Sequence, residues 1–271
     1  MRRWDEAIKK THSTFRKPLT RMNMEFPLLV YWVVPLVVFA GYVAFGISGF
    51  GAGIIIVPVL AQLLPLKFVV PLLLLLDLAA TLVMRSSQGM KARDMGEIRS
   101  MLPFMLTGMA LGAYLLTTTP ERWLMLALGV FVAGYALITL LRNKSVGTIA
   151  RWWRAPLALM GGAAGSLFGT GGPIYAIYVS RRLHDPTVMR ATMSSIIAIS
   201  VVIRAVLFLL SGLLLKVDLG LATLGLLGFM AGGMMLGMRL HTRMKPEHVR
   251  RVVNLLLVVS GSSLALRAVM M

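Results

Sequence analysis

Gly46-Ile47-Ser48-Gly49-Phe50-Gly51-Ala52-Gly53 and Gly165-Ser166-Leu167-Phe168-Gly169-Thr170-Gly171-Gly172-Pro173 are two versions of one pattern. Phe50-Gly51 falls on Phe168-Gly169 at a separation of 118 residues. Each copy sits in a stretch without charge, residues 26–66 for the first and 155–180 for the second. Glycine inside a helix costs roughly 1 kcal/mol against alanine. A cluster of glycines in an apolar segment therefore marks backbone that is unwound or closely approached.

The length of these runs sets the class. Residues 100–120, 123–141 and 219–238 are also uncharged. A helix needs about 20 mostly apolar residues to cross the hydrocarbon core. Hydrophobic residues make up 58% of the chain and charged residues 14%, well below the usual share in soluble domains. The expected fold is all-α, a polytopic helical membrane protein.

A net charge of +18 raises the question of nucleic acid. The basic residues gather in connectors: Arg2 to Arg21, Arg142 to Arg154, and Arg239 to Arg251. That is the loop bias of a membrane protein, and nucleic acid is not an expected partner. The absence of cysteine excludes disulfides and thiolate metal sites. No small-residue cleavage site follows the first apolar run, which is too long for a signal sequence.

Residues 1–26 form a basic lead, expected to rest on the cytoplasmic face of the bilayer. A first transmembrane repeat is expected over 27–142, a basic linker over 143–154, and a second repeat over 155–271. Within the 118-residue register Asp77 stands opposite Ser195; after a shift of several residues Gly108 meets Gly232. Two homologous halves explain these coincidences in order. Counting each glycine-broken segment as one pass gives about eight crossings and parallel halves. Counting each as two gives ten crossings and inverted halves. Neither count puts every basic loop on one side.

Two broken helices in corresponding places point to a transporter's binding site. A helix start offers free N–H groups and roughly half a positive charge, so it attracts anions. Pro173 after Gly171-Gly172 suits a first helical turn, where its missing N–H costs nothing. The candidate anion-binding residues are Ser48, Gly49, Gly51 and Gly53 in the first half. In the second they are Gly169, Thr170, Gly171, Gly172, Ser195 and Arg204. The competing reading is that the glycines only allow tight helix packing. Arg204 is the one arginine well inside an apolar stretch. It could hold an oxyanion through two parallel N–H bonds, pair with Asp77, or snorkel to an interface. Asp77 is the one acid embedded in a membrane run. A buried carboxylate there is costly unless paired or protonated, which suits proton coupling; a structural contact with Thr81 is the alternative.

Each half resembles the repeat of the sulfite exporter (TauE/SafE) family of membrane permeases. The residues that carry the resemblance are Gly49-Phe-Gly-Ala-Gly-Ile-Ile-Ile-Val-Pro58 and Gly165-Ser-Leu-Phe-Gly-Thr-Gly-Gly-Pro173. It covers nearly all of 30–271. The resemblance implies a bacterial cytoplasmic-membrane permease that exports a small anion such as sulfite or an organosulfonate. An uptake permease and a non-transporting scaffold or assembly factor are the alternatives.

Enzymatic chemistry is not expected. Gly46-Ile-Ser-Gly49 matches the Gly-x-Ser-Gly string of intramembrane serine proteases, which need a base beside the serine. All four histidines (His12, His184, His241 and His248) fall in connectors or the lead. They make no metal-site spacing, and no metal or cofactor is expected. The 20 methionines read as packing and lipid-facing side chains. The expected partners are the small anionic substrate and the lipid bilayer; a homo-oligomer is compatible with the sequence.

Overall fold

The computed structural model describes residues 28–49, 51–87, 93–141, 147–215, 217–240, 257, 259–268 and 270. The basic lead, Phe50, part of the 143–154 linker and the basic run 241–251 lie outside them. Among the described residues the regular structure is entirely helical. In chain order the helices are α1 (Leu28–Ser48), α2 (Ala52–Leu60), α3 (Leu66–Ser87), α4 (Met95–Thr118) and α5 (Glu121–Leu141). After a single 3-10 turn, Arg151–Trp153, come α6 (Arg154–Phe168), α7 (Gly171–Arg182), α8 (Pro186–Leu210) and α9 (Val217–Leu240). Residues 259–268 form the last helix, α10. Residues 28–33 are the opening turns of α1; the described residues from 34 onward make one compact unit.

Among the described residues five helices are long and apolar enough to cross a membrane, within α3, α4, α5, α8 and α9. Among the described residues the acids outside these spans, Asp94 and Asp185, stand at helix starts. Asp94 caps α4, accepting from the Glu97 N–H at 3.0 Å. Asp185 caps α8, accepting from the Thr187 N–H at 2.7 Å, with Pro186 in the first turn. Negative charge there complements the helix dipole and satisfies N–H groups that have no partner in the helix.

Glycine brings the helices close enough for backbones to touch. A Cβ on Gly108 of α4 would fall on the Leu159 carbonyl of α6, and one on Gly162 of α6 would lie 2.5 Å from the Met105 carbonyl of α4. A Cβ on Gly237 of α9 would likewise fall on the Val43 carbonyl of α1, and one on Gly46 of α1 would lie 2.5 Å from the Met234 carbonyl of α9. Lipid is as apolar as a leucine side chain, so close van der Waals contact between small residues holds such helices together. Bulky side chains fill the space between. Met101, Met105 and Met109 of α4 are buried against Tyr175 and Tyr178 of α7 and Met193 and Ile196 of α8. At the far end of α7, Glu97 of α4 accepts from Tyr178 Oη at 2.9 Å and from Arg182 Nε at 3.0 Å. That ion pair ties the start of α4 to the end of α7.

Candidate anion site

The backbone breaks where the glycines cluster. Gly49 ends α1 with φ 79°, its N–H bonded to the Phe45 carbonyl at 2.6 Å. Gly51, with φ 93°, precedes α2. Gly169, with φ 67°, ends α6, its N–H on the Gly165 carbonyl at 2.9 Å; Thr170 leads into α7. The left-handed region is open to glycine at no steric cost. Gly51 and Gly169, the paired positions of the two motifs, both occupy it.

The two breaks touch. A Cβ on Gly53, in the first turn of α2, would fall on the Gly169 carbonyl. Beside this contact lies a small pocket. Gly51, Ala52 and Gly53 line it from the start of α2; Gly171 and Gly172 line it from the start of α7. Neither start is capped by a side chain. First-turn N–H groups have no acceptor within their helix, so these two turns give the wall a positive character.

The helical period brings the charged residues to the same place. Asp77 and Thr81, one turn apart on α3, line the cavity; so do Ile197, Ser200, Val201 and Arg204 on one face of α8. Asp77 Oδ1 accepts a 2.8 Å hydrogen bond from Tyr42 Oη of α1. Arg204 is buried at 3% exposure, and its Nε and Nη2 have no hydrogen-bond partner. These two atoms form one edge of the guanidinium, with parallel N–H bonds. A buried donor without an acceptor is costly, more so when charged. The stem of Arg204 passes Gly165, where a Cβ would lie 3.8 Å from Cδ. Tyr175 of α7 completes the wall; its hydroxyl is also buried without a partner.

Of the residues singled out in the sequence, Gly51, Gly53, Gly169, Gly171, Gly172, Asp77 and Arg204 meet at this cavity. Gly49, Thr170 and Ser195 are not on its wall. The Thr170 hydroxyl turns back to the Ala164 carbonyl at 3.4 Å, and Ser195 Oγ donates to the Ala191 carbonyl at 2.9 Å. Both hydroxyls serve their own chain. Ser200, rather than Ser195, is the α8 serine on the cavity. The side chain of Ser48 lies outside the described residues. Tyr42 and Tyr175 escaped the sequence reading, since a tyrosine in an apolar run gives no sign of whether it faces lipid, core or cavity. Among the described residues no group of histidine and carboxylate side chains could hold a metal ion.

The family model "Sulfite exporter TauE/SafE" matches residues 33–264. A relative, the "Probable inner membrane transporter protein TsaS" of Comamonas testosteroni, is 26% identical over 197 residues, covering 71% of this chain and 81% of its own. No solved structure matches the chain. With a family model spanning most of its length and, among the described residues, five helices fit to cross a bilayer, this chain belongs to the sulfite exporter TauE/SafE family and is a multi-pass membrane transporter.

Proposed function

We propose that the protein exports a small oxyanion, sulfite or an organosulfonate, across the bacterial inner membrane, and that the cavity between the two glycine breaks is its binding site. One observation carries this reading: Arg204, whose buried Nε and Nη2 have no acceptor, lines a cavity that two uncapped helix starts also line. A guanidinium edge in that state matches two oxygens of an anion. A scaffold protein would gain nothing from a buried charge left open in this way. Gly51, Gly53, Gly169, Gly171 and Gly172 supply backbone approach and N–H groups. Asp77, on the same cavity, carries a coupling proton, with Tyr42 holding the carboxylate in place.

In this reading residues 27–142 and 155–271 are two repeats joined by the 143–154 linker, with each broken segment counted as one of eight passes. Two features support it. Gly51 and Gly169 share the left-handed conformation at the same register position. The packing is also reciprocal: α4 of the first repeat lies on α6 of the second, and α9 of the second lies on α1 of the first. Movement of one set of helices against the other would open the cavity to each side in turn.

The test is transport into proteoliposomes of sulfite, methanesulfonate and acetate, with and without a pH gradient. Arg204→Lys keeps the charge but loses the planar fork. Anion affinity should fall about a hundredfold, as expected when a charge-assisted hydrogen bond is lost. Wild-type affinity in a well-folded Arg204→Lys protein would refute the site.

A further inference from the structure

We propose that Tyr175 is the specificity-determining residue of the cavity: its hydroxyl is the third donor, and it makes the site hold a three-oxygen anion more tightly than a planar carboxylate. This rests on the anion reading above.

Tyr175 is 1% exposed, its Oη has no hydrogen-bond partner, and it lines the same cavity as Arg204. Its ring is fixed in a slot. A Cβ on Gly161 of α6 would run into Cε1, and one on Gly171 would lie 3.2 Å from Cε2. Gly161 and Gly171 thus clear the space in which the ring lies, and the hydroxyl is held at one point. Ser200 of α8 stands near this hydroxyl without closing a hydrogen bond of normal geometry to it, and its Oγ donates to Met109 Sδ at 3.5 Å. Phenylalanine would fill the slot equally well and bury no orphan oxygen. The hydroxyl therefore needs an acceptor that enters the cavity.

Arg204 offers two parallel N–H bonds from its unpartnered edge. A carboxylate engages that edge with both oxygens and keeps its remaining lone pairs in the same plane. A sulfonate or sulfite group also places two oxygens on the edge, and projects a third out of the plane. Tyr175 reaches the cavity from α7 while Arg204 reaches it from α8, so the two approach a bound anion from different helices. The pair together reads the number of oxygens, which neither group reads alone.

The experiment compares methanesulfonate and acetate, which share a methyl group, as ligands of the purified full-length protein and of Tyr175→Phe. Dissociation constants and melting temperatures are measured for both. The wild type should prefer methanesulfonate. Tyr175→Phe should weaken methanesulfonate about tenfold, the usual effect of one hydrogen bond to an anion, and change acetate little. Its melting temperature without ligand should be unchanged or higher, because an unpartnered hydroxyl has been removed. An unchanged methanesulfonate-to-acetate ratio would overturn the proposal and leave the Arg204 site standing. A lowered melting temperature with an unchanged ratio would show that the hydroxyl has only a structural partner. If Tyr175→Phe fails to fold, the wild-type ratio decides: equal affinity for the two anions overturns the proposal. Binding of neither anion by the wild type would overturn the anion reading itself.

Discussion

Gly53→Ala adds one methyl group at the point where the two breaks meet. Gly53 has no positive φ, so alanine suits its backbone and helix propensity favours the change by roughly 1 kcal/mol. Packing opposes it. The new Cβ would fall on the Gly169 carbonyl and lie 3.0 Å from Leu73 Cδ2. The carbonyl is backbone and cannot swing aside as a side chain can. The cost should lie at the upper end of overpacking, about 3 kcal/mol. The net loss is then about 2 kcal/mol, or a fall in melting temperature of roughly 4–8 °C for a chain of this size. Displacing the first turn of α2 should also weaken anion binding about tenfold, as for one lost hydrogen bond. Gly225→Ala is the control. Nothing lies within 4 Å of a Cβ at Gly225, so propensity acts alone and the melting temperature should hold or rise. Thermal unfolding in detergent, with and without sulfite, reads both effects. If Gly53→Ala melts and binds as Gly225→Ala does, the contact between the two breaks is absent and the cavity described here is wrong.

Three further outcomes follow. Asp77→Asn fixes the side chain in a neutral form, so transport should lose its pH dependence while anion binding persists; full pH-coupled transport by this variant would move the proton elsewhere. Combining it with Arg204→Met removes both cavity charges, and the double variant should insert and fold yet bind no anion in equilibrium measurements. Retained affinity would mean that Arg204 serves only to balance Asp77. Glu97→Ala strips the acceptor from Tyr178 and Arg182, and should lower stability by about 1–2 kcal/mol, given partial exposure, with no change in anion affinity.

The helices were legible because charge is so expensive in lipid. Lys67, Arg93, Arg122 and Asp218 lie near helix ends, and the uncharged runs between such residues correspond to α4, α5 and α9. Asp77 and Arg204 stood out as isolated charges, and the helical period of α3 and α8 carries both to one cavity. The clustered glycines marked the places where α1 gives way to α2 and α6 to α7. Hydroxyl placement was not legible. Thr170 and Ser195 look like ligands in a string of letters, but each has a carbonyl of its own chain within reach. Tyr42 and Tyr175 show the reverse: sequence gives their polarity no context, and only packing decides whether the hydroxyl meets Asp77 or is buried without a partner.

The glycine contacts between α1 and α9 bear on how the chain is made. Phe39, Val43 and Gly46 are translated early, while their partners Gly233 and Gly237 come about 190 residues later. At usual synthesis rates of roughly 5–20 residues per second, that interval is roughly 10–40 seconds. Throughout it, the grooved face of α1 has only lipid or the insertion machinery for company. A late helix, α9, therefore seals an early one, α1, and a nascent chain truncated before residue 217 should be an early target for membrane proteases.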